Sequence, residues 1–494
     1  MILLDDVLTA VPEGVVLRKG ATQFPAAAVD SRRLAGGELF FAVAGAQQDG
    51  HDFLPQALRA GARGLVVSRR DAAAVVGPTD DVAVLAVPDT LQALQQMAAQ
   101  VRRRAAPALV AVTGSAGKTT TKTLTAVALA TRFDVLSNVA SFNNHLGVPL
   151  TLSGIDPQHT HVVAELGTNH RGEIPQLARL AAPDVAVVTN VGLAHLGNFT
   201  DRAELAEEKA DLLRCTRSDG TWVLNGDDPI LLRAAARLPQ AATARILTVG
   251  FAEGNRIRAE QVEVGRNGTM GVLVVDDRRY PFSLALTGRH FGYAVMQAVA
   301  VAETFGIGPD TVLEALREVP SPPGRARPMP AGDDLLVIDD TYNGSPDAML
   351  AAAALLAELE GELKIAVLGQ MGELGRFSQP LHARVGRAFA AAATHVVTVG
   401  EDAEPLRRCA AEGLPGGRTR HAGSAAEALT VVEEMLADRA GASAVVMAKG
   451  SRFTHMERVP LGLTGGLTGG LTGCSRTSCP RYITCGDCPE LCLP

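Results

Sequence analysis

Nine consecutive residues, Thr113-Gly114-Ser115-Ala116-Gly117-Lys118-Thr119-Thr120-Thr121, combine two glycines, a lysine and a run of hydroxyls. Between a buried strand and a helix, such a loop turns backbone N–H groups and the positive end of the helix dipole toward one point. That point suits an anion, and a lysine beside a hydroxyl suits nucleotide phosphates with Mg²⁺. A plain glycine-rich turn capping a Thr-rich helix fits less well, because an apolar strand precedes the loop. The general P-loop spacing is not met: it needs glycine where Val112 stands.

Other candidates gain meaning from their distance to that loop. Glu165 ends the run Val162-Val163-Ala164, and His195 follows the next apolar run. Ligands of open parallel sheets bind at such strand ends, and a carboxylate there suits Mg²⁺. Taken singly, both residues read as loop caps. Lys209, in Glu207-Glu208-Lys209-Ala210-Asp211, reads by physics alone as a solvated helix face. Gly324-Arg325-Ala326-Arg327 precedes Asp339-Asp340-Thr341-Tyr342-Asn343. Two Asp residues after an apolar run suit an ammonium group or a ribose, and equally an N-cap and a turn. Lys449-Gly450-Ser451-Arg452 sets two cations at a strand end, suiting phosphate or carboxylate, or forming an exposed basic turn.

The elements that must position these residues fall into three groups. Short apolar runs at 38–43, 64–67 and 82–87 between Gly- and Asp-rich turns predict a small α/β N-terminal domain over 1–104. Arg102-Arg103-Arg104-Ala105-Ala106-Pro107 reads as a linker. From residue 105 to 319, predicted strands at 108–112, 161–164 and 185–189 alternate with helices such as 119–131. That alternation predicts a central P-loop parallel-sheet ATPase domain, with hairpin material at 256–286 around Asn267-Gly268. After Val319-Pro320-Ser321-Pro322-Pro323-Gly324, predicted strands at 335–339, 364–368, 395–399 and 444–447 define a C-terminal Rossmann-like doubly wound domain over 320–459. The fold class is therefore α/β in three domains. Residues 460–494 hold Leu-Thr-Gly-Gly repeats and five of the seven cysteines; with a single C-x-x-C they do not match zinc spacing, and disorder is expected there.

A chain of 494 residues buries enough apolar surface to need no disulfide or structural metal. The net charge of −7, with signs interspersed, excludes a general nucleic-acid binder. Asp5 and Asp6 stand where a signal peptide carries Lys or Arg, and no run of about 18 apolar residues exists. No membrane span and a cytoplasmic, monomeric protein are expected.

From about Val29 to Arg458 these motifs resemble the Mur ligase family. The loop is similar to the T-G-x-x-G-K-T-T form of Mur ligases and of folylpolyglutamate synthase. Asp30-Ser31-Arg32, Gly37-Glu38-Leu39-Phe40-Phe41-Ala42 and Asp49-Gly50-His51 resemble the nucleotide-sugar-binding domain, and Ser141-Phe142-Asn143-Asn144-His145-Leu146-Gly147-Val148-Pro149 is similar to the NFNNxxGxP segment. Ile338-Asp339-Asp340-Thr341-Tyr342-Asn343 with Ser345-Pro346 is similar to the member that adds D-alanyl-D-alanine to UDP-N-acetylmuramoyl-tripeptide. The resemblance implies a cytoplasmic ATP-dependent ligase of peptidoglycan precursor synthesis. It implies Gly114, Ser115, Ala116, Gly117, Lys118, Thr119 and Thr120 on ATP, with His290 and Asp339 on the rest of the nucleotide. Thr119 and Glu165 would hold one Mg²⁺; His195 would lie near a second, with Lys209 as a carbamate. Ser31, Arg32, Asn143, Asn144, Arg325, Asp340, Tyr342 and Asn343 would bind substrates.

The chain departs from the family in three places, the mildest being Asp211, where the family usually has Glu. Gly288-Arg289-His290-Phe291-Gly292-Tyr293-Ala294 keeps the histidine of the adenine segment but neither asparagine, leaving Phe291 or Tyr293 to stack on the base. The closing helix expected beyond Met456-Glu457-Arg458-Val459 meets Pro460. Two other readings compete: a folylpolyglutamate-synthase-like ligase, against which the Asp30-Ser31-Arg32 domain speaks, and an inactive nucleotide-sugar-binding homologue.

Overall fold

The computed structural model of the chain describes residues 1–465 apart from 46–47, 78–80, 140–141, 333, 401–402 and 440. Among the described residues, three large sheets follow one another along the chain, each packed with helices, giving an α/β architecture of three units; a two-stranded pair, Ile2–Leu3 with Gln23–Phe24, accompanies the first. In the first, Val15–Arg18, Ala83–Ala86, Gly64–Val67, Leu39–Phe41 and Ala27–Ala28 lie side by side, parallel except for the first pair.

The central sheet has nine strands. Arg245–Gly250, Thr221–Asn225, Val185–Val188, Ala108–Thr113, His161–Glu165 and Val135–Ser137 are parallel neighbours in that order. Ala108–Thr113 lies inside the parallel part, between Val185–Val188 and His161–Glu165, and is buried from Leu109 onward, which is why it reads as an apolar run. The hairpin expected around Asn267-Gly268 forms, and a further strand extends it. Ile257–Gly265, Gly268–Val275 and Arg278–Leu284 join the same sheet as an antiparallel meander, so the sheet is mixed rather than purely parallel. Their exposed–buried alternation marks a ribbon with one wet face.

The third sheet orders Arg327–Pro330, Leu335–Asp339, Ala444–Lys449, Leu363–Gly369, His395–Val399 and Thr419–Ala422, parallel after an antiparallel first pair. Two apolar clusters cross between units. One joins Val110, Val112 and Val187 to Ile338, Met349 and Leu368. The other joins Leu39 and Leu85 of the first sheet to Ala111 and Val162 through Met97, Ala98 and Val101.

Two expectations are corrected. Arg102 to Ala105 are not a linker but the last turn of helix Thr90–Ala105, which ends at Ala106 in the left-handed region (φ +49°). Arginine is a good helix former, and cations suit the negative helix end. Arg102 is buried, donating to Ala181 O (3.1 Å) and Ala182 O (3.3 Å) and pairing with Asp184. Nor does Pro460 stop the closing helix, which runs Arg458–Leu463. Proline is tolerated in a first turn, whose N–H groups lack intrahelical acceptors. The five tail cysteines and the repeats beyond residue 465 lie outside the described residues, and so does the disorder expected of them. Among the described residues, no helix is long and apolar enough to cross a membrane.

Candidate active site

The loop after strand Ala108–Thr113 is held by its neighbours. Gly114 has φ +148°, and a Cβ there would sit 1.8 Å from Thr189 Oγ1, so only glycine fits. Gly117, at φ +81°, is the N-cap of helix Lys118–Ala130. Asn190, which the sequence did not single out, braces the loop. Its Oδ1 accepts from Ser115 N (3.2 Å) and Ala116 N (3.0 Å), and its carbonyl also accepts from Ser115 N (3.0 Å). Thr189 Oγ1 donates to Ala116 O at 2.6 Å, and Ser115 Oγ accepts from Gly192 N at 2.8 Å. The amides of Ser115 and Ala116 are thus engaged. Those of Lys118, Thr119 and Thr120 lack intrahelical acceptors and form the anion cradle.

Lys118 Nζ donates to Gly114 O at 2.8 Å. Burial pushes its ammonium below the ordinary lysine value, with Glu165 opposing and Arg325 adding to the shift. Thr119 Oγ1 donates to Glu165 Oε2 (2.8 Å) and accepts from Arg325 Nη2 (2.9 Å). Asn143 Nδ2 donates to Glu165 Oε1 at 2.7 Å, while Asn138 Oδ1 takes Glu165 N. Asn144 Oδ1 accepts from Leu146 N and Gly147 N at the start of helix Gly147–Ser153. Lys122, also missed in the sequence, is buried one turn further on with Nζ 2.6 Å from Asn138 O.

These groups line a cavity of about 1020 Å³ whose opposite wall comes from the third unit. Arg325 stands 4.0 Å from the Tyr342 ring centroid, and Arg452 stands 5.2 Å from the same ring. Lys449 Nζ pairs with Asp340 Oδ2 at 2.7 Å. Asp339 and Asp340 separate: Asp340 lines the cavity with Tyr342 and Asn343, whereas Asp339 does not. The Asp339 carboxylate accepts from Thr341 Oγ1 (2.6 Å), Thr341 N and Gly324 N; burial raises its pKa against those bonds.

At the other end, His290, Phe291 and Tyr293 begin helix Phe291–Thr304 and face the cavity. Burial lowers the His290 pKa to about 4, with Asp340 opposing and Lys449 assisting, so the ring is neutral near pH 7. Tyr293 Oη donates to Asp227 at 2.8 Å and its ring meets Phe251 edge-on at 4.9 Å. Its hydroxyl is therefore engaged, and the ring remains as a stacking surface.

The central loop and third unit are joined across the cavity mouth. His195, in the left-handed region at φ +61°, sets Nδ1 2.5 Å from Glu373 Oε2, and this bond holds the Glu373 pKa low. Leu193 N donates to Asp347, Gly197 N to Glu373 O (3.1 Å), and Arg376 Nη2 to Thr200 O (2.8 Å).

Several candidates lie off the cavity wall. Gly114 packs behind the loop, and Lys209 is 1% exposed in helix Arg202–Arg214. Burial, then the charge of Lys118, drives the Lys209 ammonium well below the usual lysine range. In the first unit, Ser31 is buried while exposed Arg32 pairs with Asp30 (Nε to Oδ1 2.9 Å, Nη2 to Oδ2 2.8 Å).

Thr119 Oγ1 and Glu165 Oε2 offer two hard oxygens on the cavity wall. That pair fits Mg²⁺, which keeps waters and takes other ligands from phosphates. Among the described residues, no group of three or more His, Cys, Asp or Glu forms a dedicated metal cage.

Residues 112–302 match the Mur ligase middle domain, 324–452 the Mur ligase glutamate ligase domain, and 27–102 the Mur ligase family catalytic domain. The chain is 38% identical over 357 residues to the UDP-N-acetylmuramoyl-tripeptide–D-alanyl-D-alanine ligase of Synechocystis, covering 72% of this chain and 75% of that protein. To the Escherichia coli enzyme of the same name it is 32% identical over 436 residues, covering 88% and 92%. A crystal structure of MurF from Acinetobacter baumannii superposes with a TM-score of 0.83 at 29% identity, covering 94% of this chain and 99% of that one. MurF from Thermotoga maritima in complex with ADP gives 0.77 at 25% identity, covering 91% and 98%. Mycobacterium tuberculosis folylpolyglutamate synthase, at 18% identity and a TM-score of 0.62 over 77% and 95%, shares the fold alone.

Proposed function

The chain belongs to the Mur ligase family, and from that premise we propose that it joins D-alanyl-D-alanine to UDP-N-acetylmuramoyl-tripeptide at the expense of ATP. One observation carries this reading: a single cavity brings the anion cradle at Lys118 against the cations of the third unit, Arg325, Lys449 and Arg452. Carboxylates are poor electrophiles, so amide formation requires activation. The terminal carboxylate of the tripeptide attacks the γ-phosphorus of ATP, releasing ADP and leaving an acyl phosphate. The neutral amine of the dipeptide then attacks the acyl carbon, expelling phosphate and losing its proton.

Most of the catalysis is positioning and charge neutralisation, for which Lys118 and the amides of Lys118 to Thr120 are built. Thr119 and Glu165 would hold Mg²⁺, which supplies charge neutralisation on the phosphates when bound. His195 would stand by a second ion. Lys209 would serve as a carbamate, for which a depressed pKa leaves the free amine that reacts with carbon dioxide. His290, with the Phe291 and Tyr293 rings, would face the base. Asp340, Tyr342, Asn343, Asn143, Asn144 and Arg325 would meet the peptide substrates, and Ser31 and Arg32 the UDP group. Asp339 would support the nucleotide only through the turn it holds. The reaction fits a cytoplasmic monomer.

The experiment is phosphate release from ATP and Mg²⁺ with UDP-N-acetylmuramoyl-tripeptide, with and without D-alanyl-D-alanine. Release dependent on both substrates is expected. Release indifferent to the dipeptide would overturn the assignment.

A further inference from the structure

Arg452 occupies the short turn Arg452–Thr454 after strand Ala444–Lys449, on the cavity wall. The other cations there are engaged: Lys118 with Gly114 O, Arg325 with Thr119 Oγ1, Lys449 with Asp340. Arg452 differs. Its Nε–H is buried without an acceptor, and its guanidinium has no acidic partner among the described residues. The Tyr342 ring beneath it is its polarisable neighbour.

A guanidinium carries its charge at every physiological pH, so a half-buried one without a counter-ion is under-compensated. Such a group is accounted for when its anion arrives with a substrate. On the ligase reading above, on which this inference rests, the groups that must meet at the reacting bond belong to three anionic parts: the nucleotide phosphates, the tripeptide's terminal carboxylate and the dipeptide acid. The nucleotide phosphates belong to the cradle at Lys118, and Arg325 already reaches that end. The tripeptide carboxylate must meet the γ-phosphoryl group, so it belongs there too. The remaining anion is the carboxylate at the far end of the dipeptide.

We propose that Arg452 binds the C-terminal carboxylate of the incoming dipeptide, with Tyr342 holding the guanidinium plane. The planar fork takes both carboxylate oxygens, which a lysine does not. Anchoring that end selects a dipeptide acid over its amide or ester and orients the amine toward the acyl phosphate.

The test compares wild type, Arg452→Lys and Arg452→Gln with D-alanyl-D-alanine and with its C-terminal amide, under saturating ATP and UDP-tripeptide. Wild type should prefer the acid by about 10- to 100-fold in kcat/KM, the range for hydrogen bonds to a charged group. Arg452→Gln should lose that preference and raise the dipeptide KM by a similar factor, leaving the KM of ATP within about twofold. Arg452→Lys, which keeps charge and stem, should fall between and serves if the glutamine variant does not fold. A retained acid preference, or a rise in the ATP KM instead, would overturn the proposal. Absence of ligase turnover in wild type would instead strike the functional reading. Calorimetry of dipeptide binding to wild type and Arg452→Gln would then decide the role of Arg452, with equal affinities overturning it.

Discussion

Replacing Gly114 by alanine tests whether the loop's shape is set from behind. The new Cβ would lie 1.8 Å from Thr189 Oγ1, 3.0 Å from Thr189 Cβ and 3.2 Å from Asn190 N, at φ +148°. That backbone region is nearly glycine-only, and holding another residue there costs roughly 1–3 kcal/mol. Expelling the Thr189 hydroxyl also breaks its 2.6 Å bond to Ala116 O, worth about 1 kcal/mol net. If the loop relaxes away from its phosphate-binding shape, about 2–4 kcal/mol is lost from transition-state stabilisation. That corresponds to roughly 30- to 1000-fold in kcat/KM for ATP. Phosphate release at varied ATP measures it, and thermal melting checks that the fold survives. The double variant Gly114→Ala/Thr189→Ala removes the Oγ1 clash while keeping the backbone strain, so it should recover part of the loss. Full activity in the single variant, or no recovery in the double, would refute the reasoning.

Lys118→Ala should lower kcat by at least about 100-fold while shifting the melting temperature little; near-normal turnover would remove Lys118 from the chemistry. Because the folded His290 pKa is about 4 against 6.5 for a free histidine, the unfolded chain binds more protons between those values. Its contribution to stability is full above pH 6.5 and lost as pH falls toward 4. Urea midpoints measured across that window should decline less steeply in His290→Gln, and identical slopes would count against the buried neutral ring. Isotopically labelled bicarbonate should give a carbamate resonance in the wild type that Lys209→Arg lacks; its absence from the wild type would sink the metal-ligand role of Lys209.

Much of this architecture is legible in the sequence because buried parallel strands are largely apolar runs, as at Val185–Val188 and at 444–447 within Ala444–Lys449. The nucleotide loop is legible because its glycines, lysine and threonines are contiguous. What escapes is whatever depends on distant neighbours. Asn190 reaches the loop across 75 residues, and Arg325 reaches Thr119 across 206. Asp339 and Asp340 differ by one step along the chain, yet one turns into its own loop and the other faces the cavity. Arg102 to Arg104 misled because a cationic run followed by proline describes both a linker and the end of a helix. The distinguishing feature, the Asp184 and carbonyl acceptors of Arg102, is remote in sequence.

That remoteness has a consequence during synthesis. The acceptors of Arg102 lie 79 to 82 residues downstream. The same helix hides Met97, Ala98 and Val101 against Leu152, Ala178 and Ala181. At about 5–20 residues per second, a ribosome takes roughly 4–16 s to supply those partners. During that interval the emerged first unit carries a helix with one oily face uncovered, a surface that chaperones bind and that neighbouring nascent chains can stick to. A chain stalled soon after residue 105 should therefore be retained by a holdase, and the completed chain should not.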